Sequence, residues 1–284
     1  MTFARIKLLG VLFLMSLGGT LWAQGFDKGR DAYNKRDFAT AMRELRPLAE
    51  QGDARAQTLL GQMYSEGFKL GNDTLERDEA KAAQWTRRAA EQGHPQAQFN
   101  LGKMYDGGHG VSMDHAEAAR WTLRAAEQGH TLAQHSIGVN FLVGQGVPED
   151  GAEAAKWLRR AAEKGYPIAQ RQLGELLARG DDGIPQDEVE ALGWLGLYAL
   201  QTGRDPAHFR LGVRYEHDPT DFVRAYMFYA ISKANGFEYA TEAIDSVSEK
   251  MATAEISKAQ AMARDCLHSN YIDCGWRTPS TLEK

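Results

Sequence analysis

The sequence is short of cysteine, has no excess of positive charge, and contains one apolar run of note. Lys and Arg total 33 against 38 Asp and Glu, a formal net charge of −5 in 284 residues. A mildly acidic surface of mixed charge argues against nucleic acid or anionic lipid as the main partner. Catalytic signatures are also missing. There is no Gly-x-Ser-x-Gly elbow, no Ser-x-x-Lys and no His-Glu-x-x-His, so the chain reads as a non-enzyme with no cofactor. The two cysteines, Cys266 and Cys274, both lie near the C-terminal end. A metal site there is not expected, because a helical cysteine with only His268 nearby falls short of four ligands.

The apolar run is Leu8 to Leu17, preceded by Arg5 and Lys7 and followed by Gly18, Gly19 and Ala23. A basic start, an apolar stretch short for a bilayer, and small residues before Gln24 predict a cleavable secretory signal over 1–23. An uncleaved N-terminal anchor is the alternative. No cysteine stands near the cut to take a lipid. The expected location is periplasmic or secreted, with no membrane anchor after cleavage. In that oxidising setting a disulfide between Cys266 and Cys274 is the leading reading. Two free thiols, or pairing with another chain, are the alternatives.

What the chain does have is repetition. Arg-Ala-Ala-Glu-Gln-Gly at 88–93 returns at 124–129, and as Arg-Ala-Ala-Glu-Lys-Gly at 160–165, each time after 36 residues. Trp85, Trp121 and Trp157 keep the same interval, with looser echoes at Trp194 and Phe228, and Ala-Gln opens the units at 56, 97, 133 and 169. In the unit from His94 to Gly129, Ala97, Leu101 and Tyr105 set one apolar stripe on a first helix. Gly107, Gly108 and Gly110 break it. A second helix starts at Asp114, where Asp114 and Glu117 are placed to cap each other's amides reciprocally, as are Asp150 with Glu153 and Asp187 with Glu190. It ends at Gly129. Ala118, Ala119, Ala125, Ala126 and Gly102 let neighbouring helices approach closely, with Trp121 filling the remaining gap. A single such pair cannot bury its apolar face, so several must stack.

The strings Ala-Gln-x-x-Leu-Gly-x-Met-Tyr (97–105), Gly-x-Gly-Val-x-x-Asp (144–150) and Ala-x-Lys-Trp-x-x-x-Ala-Ala-Glu-x-Gly (154–165) resemble Sel-1-like repeats, relatives of the tetratricopeptide repeat. The resemblance runs over 26–265 and is strongest over 49–165. It implies an all-α, right-handed superhelical solenoid of antiparallel helix pairs. After the signal come a tetratricopeptide-like pair at 24–52, repeats at 53–93, 94–129, 130–165, 166–203 and 204–236, and capping helices with the cysteine-bearing tail at 237–284. An insertion near Phe68 to Leu75, and Leu177 where other units carry an aromatic, are expected to bulge from the regular stack.

The same resemblance implies an exported scaffold or adaptor that holds a partner protein or peptide on the concave face, either as a passive scaffold or as a regulator of an envelope enzyme or sensor. Cysteine-rich family members described as penicillin-binding or β-lactam-hydrolysing supply the alternative, a cell-wall-directed enzyme. Those carry a cysteine pair in nearly every repeat, and this chain has none within its repeats. First helices usually line the concave face, and positions that vary between units should be free of packing duty. Those positions hold Thr58, Phe99, His135 and Arg171 in one row and Gln62, Lys103, Val139 and Glu175 in the other. The candidate partner-binding residues are therefore Gln62, Phe99, Lys103, His135, Arg171 and Glu175. His94 and His130 share the first position of their units and read as turn residues.

Overall fold

The computed structural model describes residues 24–70, 73–180, 183–202, 206–217 and 221–269. The signal segment 1–23 and Cys274 lie outside the described residues. The fold is an all-α repeat solenoid. A helix covering 24–34 (α1) precedes α2 (Phe38–Glu50), α3 (Ala54–Glu66), α4 (Glu79–Glu91), α5 (Pro95–Gly107), α6 (His115–Glu127) and α7 (Thr131–Val143). Then come α8 (Gly151–Glu163), α9 (Pro167–Arg179), α10 (Glu188–Thr202), α11 (Pro206–His217), α12 (Phe222–Ala234), α13 (Ala240–Ser248) and α14 (Thr253–His268). The insertion after α3 is a departure from the all-helical plan. It forms a two-stranded antiparallel hairpin, β1 (Phe68–Leu70) and β2 (Asp73–Leu75), with Phe68 opposite Leu75.

The described residues divide into two compact units, one of those up to 133 with 145–147, the other of 134–144 with those from 148 onward. In the first, α1 to α6 enclose a core around Leu45, Leu60, Met63 and Leu101, all fully buried. In the second, α8 to α14 enclose one around Leu158, Leu173, Leu195, Phe228 and Tyr229.

Glycine in the first helix of each pair decides how tightly the pair closes. A Cβ on Gly61 would lie 2.4 Å from Thr86 Oγ1, and one on Gly102 2.5 Å from Thr122 Oγ1 and 3.0 Å from the Ala118 carbonyl. Gly174 would meet Leu195 at 2.7 Å and Gly212 the Tyr229 ring at 2.5 Å. Only hydrogen fits at these crossings.

The glutamine of each Ala-Gln dipeptide has a definite task. The last carbonyls of a helix lack the usual intrahelical donor; those of Ala49, Ala90 and Ala162 accept from the glycine amide three residues on and have room for a second donor. The buried Gln57, Gln98 and Gln170 each reach back eight residues and donate Nε2 to Ala49 O, Ala90 O and Ala162 O, at 2.9, 3.2 and 3.2 Å. In the first unit the same glutamines accept from the C-cap of the second helix of their own repeat, Gln57 Oε1 from Gln92 and Gln98 Oε1 from Gln128, both at 2.7 Å.

Three expectations need correction. The Asp-x-x-Glu pairs cap in one direction only. Asp114 accepts from the Glu117 amide at 3.0 Å and Asp150 from that of Glu153 at 3.0 Å. The aspartate's own amide, which a reciprocal box would give to the glutamate, instead donates to the end of the preceding helix: Asp114 N to Tyr105 O and Asp150 N to Phe141 O, both at 2.9 Å. The glutamates are thereby released to cations, Glu117 to Arg120 and Glu153 to Lys156. Leu177 causes no bulge, since it is buried and its carbonyl takes the Asp187 amide at 3.0 Å in the same way. The tryptophans are more than gap fillers. Trp85, Trp121 and Trp157 each carry an arginine from the next turn over the ring, Arg88, Arg124 and Arg160, at 4.5–4.6 Å.

Candidate functional site

The first-helix rows meet different fates. Thr58 and Phe99 are 5% and 8% exposed, so they carry packing duty after all. They face the residue that opens the following repeat: Thr58 Oγ1 lies 3.0 Å from His94 Nδ1, and the Phe99 ring 4.8 Å from that of His130. In the second unit His135 sits edge-on to Tyr166 at 5.0 Å and bonds Gln172 Oε1 through Nε2 at 2.7 Å. One position thus serves as a spacer between repeats, and His94 and His130 are part of that contact rather than bare turn residues. Burial lowers the pKa of both His94 and His135 from the ordinary imidazole value.

The second row, one helical turn on, is accessible. In the first unit Gln62 and Lys103 line a common groove of about 560 Å³ between α3 and α5. Gln62 Nε2 is held by Glu66 Oε1 at 3.0 Å, within the same helix. Lys103 is exposed and, among the described residues, makes no hydrogen bond or ion pair. Beyond the row, Asn100 joins from α5, and Arg77 and His109 from the flanking loops. Arg77 pairs with Glu79 and holds that carboxyl below the usual carboxylate range, while His109 Nδ1 lies 3.4 Å from Glu79 Oε1. Asp106 at the rim accepts from His115 Nδ1 at 2.8 Å and from Gln145 Nε2 at 2.7 Å. Lys103 is therefore the groove's uncommitted cation.

In the second unit the row holds a different device. Glu175 accepts from Arg171 NH1 at 3.0 and 3.1 Å and from Arg210 NH1 at 3.0 Å. Two guanidinium groups share one carboxylate, which leaves a net positive charge on this face. Val139 is half-buried on α7. Cys266 is fully buried on the last turn of α14; its proposed partner, Cys274, lies outside the described residues.

Arg77, His109 and Arg210 were not found from sequence. Two arrive from loops that carry no helical periodicity. Arg210 could have been found by stepping about one repeat from Glu175. Among the described residues no group of three or more His, Cys, Asp or Glu could hold a metal, and no helix is long and apolar enough to cross a membrane.

The Sel1 repeat profile matches five consecutive segments, 54–94, 95–130, 131–166, 167–202 and 205–237. Among solved structures, a Sel1 repeat protein from Oxalobacter formigenes is 27% identical, with a TM-score of 0.60 over 90% of this chain and 98% of that one. A protective antigen present in uropathogenic Escherichia coli strains and displaying an SLR fold is 20% identical, with a TM-score of 0.53 over 92% of this chain and 72% of that one. The second likeness speaks to fold alone. Among functionally curated proteins none matches significantly. Sel1 repeat proteins generally serve as protein–protein interaction scaffolds, and their fold is typically non-catalytic. Five matched segments on helix pairs closed by glycine and capped by aspartate make this chain a member of the Sel1 repeat family.

Proposed function

We propose that this chain is an exported interaction scaffold whose groove between α3 and α5 holds a segment of a partner protein. The observation that carries the reading is Lys103, an exposed cation that makes no ion pair inside a groove whose other basic side chains, Arg77 and His109, both face Glu79. Apart from the buried Met104, the α3 and α5 side chains that line the groove are polar ones left over after packing has claimed Ala56, Leu60, Ala97 and Leu101. Export to the periplasm or beyond rests on the 1–23 segment, and a Cys266–Cys274 disulfide would fasten the tail to α14 in that compartment.

The test is a photo-cross-linking residue at position 62, in the same groove with Lys103 kept, in the chain as made by the cells that produce it. The expected result is one dominant protein adduct, lost when Lys103→Glu is added and kept when Arg120→Glu is added at an exposed position of α6. Adducts of equal yield in both charge-reversal variants would remove the groove from consideration. Fractionation and thiol labelling of unreduced protein check export and the disulfide. A cytoplasmic pool with two reactive thiols would overturn both.

A further inference from the structure

Three aromatic rings meet where the α1–α2 turn, the end of α3 and the hairpin come together. Tyr33 closes α1, Phe38 opens α2 and Phe68 opens β1. Phe38 and Phe68 stack with centroids 3.6 Å apart, and Tyr33 stands edge-on to them at 5.9 and 6.2 Å. With Asn34, Arg36 and Glu66 they line a cavity of about 420 Å³. The Tyr33 hydroxyl donates to the Glu66 carboxylate at 3.3 and 3.4 Å, and burial together with that carboxylate pushes the phenol up to about 12. It stays a donor at any physiological pH, which keeps Glu66 at the rim of the aromatic wall.

What is missing here decides the ligand chemistry. Trp85, Trp121 and Trp157 each hold an arginine of their own helix over the ring. Among the described residues no cation stands over Tyr33, Phe38 or Phe68, and none pairs with Glu66, whose partners are the neutral Tyr33 hydroxyl and Gln62 amide. Arg36 lines the cavity yet does neither. It is the single non-glycine among the described residues with a left-handed backbone, φ 61°, held by its amide bond to Tyr33 O at 2.9 Å. That conformation is unfavourable for a residue with a Cβ. Here it turns the chain sharply enough to bring Tyr33 and Phe38 to one side. An organic cation is drawn to ring faces by the ring quadrupole, and a carboxylate at the wall adds charge attraction. A neutral molecule of the same shape gains apolar burial alone.

We propose that Tyr33, Phe38, Phe68 and Glu66 form a receptor for an organic ammonium group, supplied by a lysine side chain or by a free quaternary ammonium compound. Glu66 also lines the groove between α3 and α5, so a partner segment in that groove brings a lysine within reach of the rings. That source rests on the groove reading. The chemistry of the pocket does not.

The test titrates the mature chain with choline, with N-acetyl-lysine amide, and with the uncharged isostere of choline in which carbon replaces nitrogen. Ligand and aromatic proton shifts serve as the readout. At least one cation is expected to bind about tenfold more tightly than the isostere, and Glu66→Gln and Phe68→Ala are each expected to weaken it about tenfold. Arg36→Gln, which removes the one like charge of the cavity, should tighten it severalfold. Glu66→Gln changes no packing, so it keeps the test sound if Phe68→Ala disturbs the hairpin. Equal binding of the isostere, or cation binding indifferent to Glu66→Gln, overturns the proposal. Choline binding without lysine amide binding assigns the pocket to a small quaternary ligand. Lysine amide binding, with loss of the groove adduct in Phe68→Ala, assigns it to the groove's partner. An adduct that survives while cation binding is absent sinks this proposal and spares the groove. Cation binding without any adduct does the reverse.

Discussion

The same substitution, glycine to alanine in a helix, should have opposite signs at Gly102 and at Gly193. Both lie inside helices, where alanine is favoured over glycine by about 1 kcal/mol. At Gly193 an added Cβ meets nothing within 4 Å, so Gly193→Ala should stabilise by most of that amount. At Gly102 the Cβ would stand 2.5 Å from Thr122 Oγ1, 3.0 Å from the Ala118 carbonyl and 3.3 Å from the Thr122 amide. The threonine is 5% exposed and β-branched, so its χ1 has little freedom to turn away. The carbonyl and amide belong to α6 itself, so α5 and α6 must separate, an overpacking cost of about 1–3 kcal/mol. Net of propensity, Gly102→Ala should destabilise by about 0–2 kcal/mol. Urea unfolding followed by far-ultraviolet circular dichroism measures both. Adding Thr122→Ala should recover part of the loss, as a coupling of about 0.5 kcal/mol or more between neighbours. If Gly102→Ala stabilises as much as Gly193→Ala, close approach at the glycine is not what sets the helix crossing.

Three further outcomes follow from the geometry. Gln98→Leu removes the glutamine's bonds to the Ala90 carbonyl and the Gln128 amide, which keep the Gly93 amide and the Gly93 carbonyl as partners, and should cost about 1 kcal/mol, whereas Gln96→Leu on the exposed side should stay within about 0.5 kcal/mol in the same assay. Asp114→Ala removes the acceptor for the Ala116 and Glu117 amides and should cost about 1 kcal/mol, read as lowered hydrogen-exchange protection in the first turn of α6. His94 and His135 have folded pKa values lowered from 6.5 by burial, so the unfolded chain takes up the proton first. The stability they contribute is complete above 6.5 and is lost as pH falls through the folded values. Thermal unfolding from pH 7.5 down to pH 5 should therefore show a falling midpoint, with a shallower fall in the His94→Gln, His135→Gln double variant. An unchanged slope would mean that these rings do not titrate on unfolding.

Repeat architecture was legible because packing of this kind is local and periodic. Alanine, glycine and tryptophan recur at 36 residues since each helix pair solves the same close-approach problem, and glycine loops and aspartate caps mark the helix ends by backbone chemistry alone. The separation of Gln62 and Lys103 from Thr58 and Phe99 was not legible. All four occupy variable positions on first helices, and only the placement of His94 and His130 at the head of the next pair turns one row into a spacer and leaves the other open. The reciprocal capping expected of Asp114 and Glu117 failed for a similar reason. A carbonyl from Tyr105, nine residues earlier, reaches the aspartate amide once the two helices fold against each other.

The sequence by itself determined the helix pairs, their period, their caps and the family, since these follow from short-range backbone preferences and a repeated apolar stripe. The tertiary structure alone decided which polar residues remain free. Whether Lys103 makes an ion pair, whether two arginines share Glu175, and whether three rings and a carboxylate meet at the hairpin all depend on distances between residues far apart in the chain, and no periodicity along the chain encodes those distances.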